Sequence, residues 1–513
     1  MNKIKSAVIS VLFGLAALAL LLLAVISCDV PGSNHVKRYN SILQSITLSS
    51  SFGGEAYSVL YPEGVISASK YYAGIPEEEG EDKEEYIASY TQRGSVFVKT
   101  DKLEGEGKED EFKASVLRDA EILSARFGQK GYSSYSVTVE DGFAIRVTVP
   151  TGFTYSAYKK LDNTSRSNQL SLISNTVNSL SREGELSVRT SDKSLTKNLS
   201  GSVTANGKKY YKLTNVKESA SDVFKSFTKY SMGGNHAVRV NLTKEGKQRI
   251  NEISTAVSGS SSDKALSFFV GENLIVSLTL QEALTGSFFI NTNGNKSVAE
   301  DYAIVMQSAI SGETLTNAYN KDVSTEVVVG TASLGDNAAL MLVIAIALIF
   351  VAAAVLSIIK YKKLGAVNAF IILLYALVAI YAPYFLAIEI SVASAITILL
   401  GLLLLTGCNF YLFETVRKET YSGKIIQAAV KSAYKKTVST FLDMHLILLV
   451  ASIFFAFVGV AEVASCGVMM LVATVASYIL IWFTRFAWYV VSSPVGDKFA
   501  FGGYKRQVND NED

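Results

Sequence analysis

Cysteine is nearly absent from this chain. The three present, Cys28, Cys408 and Cys466, all lie in or beside apolar stretches. The long middle section has none, which excludes an internal disulfide there. Histidine is as scarce, and His35, His236 and His445 stand too far apart in sequence to form a metal-ligand spacing. An excess of charge of one sign is also lacking. The 48 Lys and Arg residues against 46 Asp and Glu leave a formal net charge of +2, so bulk charge gives no reason to expect a nucleic acid or an acidic substrate. In the section between the first and second apolar runs no nucleophile sits beside a base, no glycine loop suits a phosphate and no carboxylate pair shows convincing spacing. This favours a binding or mechanical protein over an enzyme, with no cofactor.

What is abundant is apolar sequence, and its distribution is uneven. Charged residues thin out at the start and beyond about Asp336. A run of about 18 apolar residues suffices to cross the hydrocarbon core. Six runs pass or come close: 7–27 behind the basic "MNKIK", 338–359 ending at "KYKK", then 366–382, 386–413, 438–460 and 463–491. Lys and Arg beside membrane helices favour the cytoplasmic side. With both termini cytoplasmic, each basic connection falls inside, and the turns "APYF" and "VGVAE", which lack Lys and Arg, fall outside. The expected organisation is an anchor over 1–27, an extracytoplasmic domain over 28–336, a five-helix membrane domain over 337–492 and a cytoplasmic tail over 493–513. "VISC", 25–28, also fits a cleaved leader with a lipidated Cys28. The apolar run is longer than a typical leader core, which favours an uncleaved anchor.

Within the outside domain, residues 28–112 carry few signals beyond the acidic run "PEEEGEDKEEY", 76–86, expected as a solvated loop. Helical spacing follows at Val116, Ala120, Leu123 and Phe127, with Gly128 as a stop. Two alternating runs around Asp141-Gly142 then predict a hairpin. Later, "HAVRVNLT", "KEGKQRINEISTAVS", "ALSFFVGENLIVSLTL", "GSFFINT" and "SVAEDYAIVMQSAI" read as strand, helix, hairpin, strand and helix. The hairpin turns at Gly271-Glu272-Asn273. This order is close to a ferredoxin-like α+β sandwich.

An anchor, a large outside domain and five further helices, together with local motifs, resemble the SecD family of the bacterial Sec export machinery. "EILSARFGQKGYSSYSVTVEDGFAIRVTVP", "LSFFVGENLIVSLTLQEALTGSFFI" and "VVVGTASLGDNA" look like family segments of the outside domain. "NFYLFETVRKE", with Asn409, Phe413, Glu414 and Arg417, and "AYKKTVSTFLDMHLILLVASI" look like its fourth- and fifth-helix motifs. "SSSFGG" stands where the family has a glycine motif, keeping Gly53-Gly54. The resemblance implies six helices forming half of a core of the resistance–nodulation–division type. It implies a SecF-like subunit as a separate chain, a SecYEG-type channel and an unfolded exported polypeptide as partners. Its work would be proton-gradient-driven protein export. The basic connections would rest on membrane lipid.

One departure is chemical. The family's fourth helix carries a proton-handling aspartate, and alignment on Asn409 and Phe413-Glu414 puts Gly407 at its position. An ionisable group inside a membrane helix costs a few kcal/mol, by roughly the insertion scales, and is normally functional; glycine binds no proton. The remaining membrane polar candidates are Glu389, Asn409, Asp443, His445 and Arg485. Glu389 and Asp443 are expected near helix ends, His445 deeper, and Arg485 snorkelling near the inner end of the sixth helix. Three roles stay open: an export subunit with its relay elsewhere, a SecD-like scaffold or chain-binding paralogue without proton coupling, and a small-molecule exporter of the resistance–nodulation–division type.

Overall fold

The computed structural model of the protein describes residues 3–29, 38–78, 80–132, 134–195, 202–212, 220–260, 263–319, 327–458 and 462–492. His35, most of the expected "VGVAE" turn and the tail over 493–513 lie outside the described residues. Among those described, five helices are long and apolar enough to cross a membrane: Ala338–Lys362, Leu364–Phe385, Val392–Tyr421, Ala428–Val458 and Val463–Arg485. The helix Lys3–Val25 adds a shorter apolar stretch, Val11–Val25, before a large β-rich region. The chain is a multi-pass membrane protein.

Helix boundaries differ from the apolar runs because backbone hydrogen bonding continues through charged turns. The second and third spans are one long helix, Ala338–Phe385, broken at Lys362 where φ is 51°. The fourth begins at Val392 instead of 386, since the Ser391 hydroxyl and Ser394 form a reciprocal capping box there. It runs on to Tyr421. The fifth helix starts at Ile426, so the basic connection expected as a loop is almost entirely helical.

The contacts divide the chain into two compact units. One joins Met1–Glu55, Pro150–Ser167 and Thr331–Asp513; the other joins Ala56–Val149 and Asn168–Gly330. Residues before Glu55 and around Pro150–Ser167 therefore pack with the membrane helices, a division that a boundary at residue 336 does not anticipate. In that unit Phe13 meets Phe483 edge-on and the Tyr381 hydroxyl donates to Leu20 O at 3.0 Å, so the first helix lies against the third and sixth.

In the second unit the helix predicted from Val116, Ala120, Leu123 and Phe127 spans Lys108–Lys130, with all four buried. It passes through Gly128 and stops at Gly131, whose φ of 79° suits glycine. The hairpin Ser136–Glu140 and Ala144–Pro150 follows, with positive φ at Asp141 and Gly142. These strands join a four-stranded sheet in the order Val328–Val329, Glu55–Leu60, Ala144–Pro150, Ser136–Glu140. Strand, helix, hairpin, helix and closing strand reproduce the ferredoxin-like arrangement here.

The later strands depart from that arrangement. Asn235–Leu242 pairs with Phe224–Met232 and Phe288–Asn291, whereas the hairpin Ala265–Val270 and Asn273–Thr279 joins Leu186–Thr190 in a separate sheet. Strands outside the expected set, Phe224–Met232 and Leu186–Thr190, supply the partners, so the five elements do not form one sandwich. The hairpin also turns on Gly271 and Glu272 alone, because Asn273 already pairs with Val270. In the acidic run, Glu81–Ala88 is a helix with no buried residue, not a loop.

Candidate functional site

Amide and hydroxyl side chains link the second, third and fourth membrane helices through their interior. Asn409 on the fourth span is fully buried, and its amide donates to Asn368 Oδ1 on the third at 2.7 Å. Asn368 donates to Ser357 Oγ at 2.9 Å, and Ser357 donates to Ala353 O at 2.7 Å. The chain of bonds crosses three spans and leaves Asn409 Oδ1 as a buried acceptor with no partner among the described residues. Such ladders add specificity to apolar packing, since an amide has one set of good neighbours.

Gly407 stands apart from it. It is exposed, and a Cβ built there meets nothing within 4 Å. Gly401, six residues earlier, is the contrast: a Cβ there would lie 2.0 Å from the Tyr375 hydroxyl, which donates to Ile398 O at 2.9 Å. Gly401 is needed for close packing; Gly407 is not needed for any contact the described residues make. Cys408 beside it is buried.

His445 lies between the fifth and sixth helices, 4% exposed. Its Nδ1 donates to Phe441 O at 2.7 Å, which leaves Nε2 facing Ser477 Oγ at 3.0 Å. Ser477 in turn donates to Thr474 O at 2.9 Å. Asp443 does not join this group. It is exposed, and it sits in the middle of the helix Ile426–Val458 instead of near its end. Glu389 precedes the fourth helix, half-buried in the connection just before the Ser391 cap. Arg485 rests its guanidinium 5.3 Å from the Tyr434 ring centre, a contact that holds a charge beside an aromatic face.

The motif at the end of the fourth helix forms a cluster. Glu414 accepts from the Tyr361 hydroxyl at 3.0 Å, with Lys360 at 3.5 Å and Arg417 at 3.9 Å; Phe413 packs edge-on against Tyr361. One turn on, sequence reasoning missed Glu419. Lys424 and Lys436 both pair with it and Ser432 donates to it at 3.0 Å, which pins the turn between the fourth and fifth helices.

Gly53-Gly54 closes the short helical turn Ser50–Gly53. Gly54 has φ of 78°, and Thr151 donates through Oγ1 to Gly53 O at 2.9 Å and through N to Gly54 O at 3.2 Å. Just before it, Ser49 N donates to Ile390 O at 3.1 Å and Ile390 N to Thr47 O at 2.9 Å. The motif thus belongs to the membrane unit and braces the start of the fourth helix.

In the other unit the helix Lys108–Lys130 buries charges that its apolar spacing concealed. Asp119 accepts from Thr316 N, Asn317 N, Asn317 Nδ2 and the Tyr319 hydroxyl at 2.7–2.9 Å. Arg126, 1% exposed, donates to Leu180 O, Arg182 O, Glu313 O and Ser308 Oγ. Burial away from water lowers it to about 10. Lys130 lies 2.7 Å from Asp301, yet burial still raises that carboxyl above the usual range. The available signal was positional: 119 and 126 follow Val116 and Leu123 by three residues, on the apolar face.

No family model matches the chain. The protein translocase subunit SecD of Aquifex aeolicus (strain VF5) is 21% identical over 376 residues, 72% of this chain and 70% of that protein. A crystal structure of SecDF in a super-membrane-facing form, 15% identical, covers 96% of this chain and 58% of its own with a TM-score of 0.57. SecDF from Thermus thermophilus, described as a translocon-associated membrane protein, is 16% identical over 96% of this chain and 59% of its own, with a TM-score of 0.41. The chain spans about three-fifths of the length of these SecDF chains. It is SecD-like.

Proposed function

We propose that this chain is an accessory subunit of a Sec-type protein translocase, set in the cytoplasmic membrane with its large domain outside. What carries the reading is one observation: the likeness to SecDF extends over 96% of the chain, across both the β-rich domain and the helices. A small-molecule exporter of related helix core fits less well, because the likeness includes the outside domain. A SecF-like subunit, a SecYEG-type channel and an unfolded polypeptide are the partners of this reading.

Proton handling in this reading does not use Gly407, which has no titratable group. His445 is the better candidate, because it is buried between two helices and both ring nitrogens face hydrogen-bonding atoms. The test is gradient-dependent export in membranes lacking their own SecD but carrying this chain with its SecF-like partner. Wild type is expected to support such export, and His445→Leu to remove only the part that collapses with the gradient. If export appears only with Gly407→Asp, which has room to be accommodated, the chain is a scaffold that has lost proton coupling. If no variant supports export, the translocase reading fails.

A further inference from the structure

Asp443 is the one Asp, Glu, Lys or Arg between Thr437 and Val458. At 1.5 Å per residue that stretch is about 33 Å long, enough to cross a hydrocarbon core of about 30 Å. Asp443 lies about 10 Å along the helix axis from Lys436, which marks the charged end. A side chain as short as aspartate does not snorkel over that distance as Lys and Arg do.

Nor does it turn inward. Phe441 and His445, two residues to either side, are buried, and two residues rotate a helix by about 200°, so Asp443 points away from the bundle. It makes no hydrogen bond or ion pair among the described residues. The exposed line through it continues at Ile447, Val450, Phe454 and Phe457, spaced four, three, four and three residues apart. That is the spacing with which one helix packs along another. A carboxylate on a lipid-facing helix is costly, and a cation at the same depth offsets part of the cost.

We infer that this face of the fifth helix docks a transmembrane helix of another chain, with an Arg or Lys of that helix meeting Asp443. The apolar line supplies the packing surface, and the carboxylate sets register and partner choice.

The full chain in lipid nanodiscs tests this with two synthetic transmembrane probes, a polyleucine helix bearing one Arg at the matching depth and the same helix without it, followed by energy transfer between fluorescent labels. Wild type should bind the Arg probe about tenfold more tightly or better, as close charge pairs at interfaces do. Asp443→Asn should bring the two probes level, and Asp443→Glu should restore the preference. Because the side chain faces outward, Asp443→Asn is expected to leave the hydrogen-exchange pattern of the helices unchanged. Equal binding of both probes by wild type would overturn the inference, as would a preference that survives in Asp443→Asn. Self-association of the chain that vanishes in Asp443→Asn would also overturn it, since the occupant would then be a second copy.

Discussion

The two units bury polar groups by opposite means. In the β-rich unit a single helix carries Asp119 and Arg126, each enclosed by four hydrogen bonds, two of the four from backbone for Asp119 and three of the four for Arg126. Within the spans of the membrane unit the buried polar groups are amides, hydroxyls and one imidazole: Ser357, Asn368 and Asn409 in one chain, His445 and Ser477 in another. Paired charges gather at the basic ends of the spans, around Glu414 and Glu419. The difference follows from solvent. A soluble domain can enclose a charge in peptide groups that would otherwise bond water, whereas a helix in lipid must keep its own peptide groups paired and has few to spare. Asp443 is the departure from this division, which is why it calls for an outside partner.

The largest effect should come from Arg126→Met. It removes the donor from three carbonyls and Ser308 at once, and breaking such a buried charged site costs about 3–5 kcal/mol. Hydrogen exchange should show that loss in the amides of Lys108–Lys130, with the fourth span unaffected. If both units lose protection equally, they do not handle buried polarity independently. A smaller effect is expected from Asn409→Leu. Hydrogen bonds between membrane helices average about 0.6 and reach about 1.7 kcal/mol, and this variant also removes the unpartnered Oδ1. A double-mutant cycle with Asn368→Leu, followed by exchange in the third and fourth spans, should give a coupling within that range. A coupling as large as the Arg126 effect would erase the contrast.

The smallest effect concerns acid. Arg93 first, then Lys113, hold the Glu109 carboxyl down to about 2 from 4.5. A lowered carboxyl stabilises the fold fully above its unfolded value, and that contribution is lost as pH falls through about 2. Glu109→Gln should therefore flatten the decline in stability of the β-rich unit across that window, measured by exchange of the amides near Arg93 and Glu109. Asp301 has the opposite sign. Its raised carboxyl favours the folded state when protonated, so its contribution falls as pH rises through the carboxylate range.

Much of the architecture was legible because it rests on local periodicity. Apolar length marked the spans, a 3.6-residue repeat marked Lys108–Lys130, and Asp141-Gly142 marked a hairpin. The site was less legible. Asn409 and His445 were visible as polar residues in apolar runs, but their partners Asn368 and Ser477 lie 41 and 32 residues away, and nothing local marks those pairs. Asp443 and His445 look alike in sequence, two positions apart. The rotation of the helix sends one inward and the other out.

By itself the sequence determined which segments are apolar and long enough to enter lipid, and that a large domain separates the first from the rest. These follow from composition and spacing along one dimension. Tertiary structure alone decided that Gly53-Gly54 braces the fourth helix, that the later strands fall into two sheets, and that Gly407 lies open while Asn409 is enclosed. Burial and pairing depend on which distant segments meet, and hydrophobic contact between them is not encoded in any short stretch of chain.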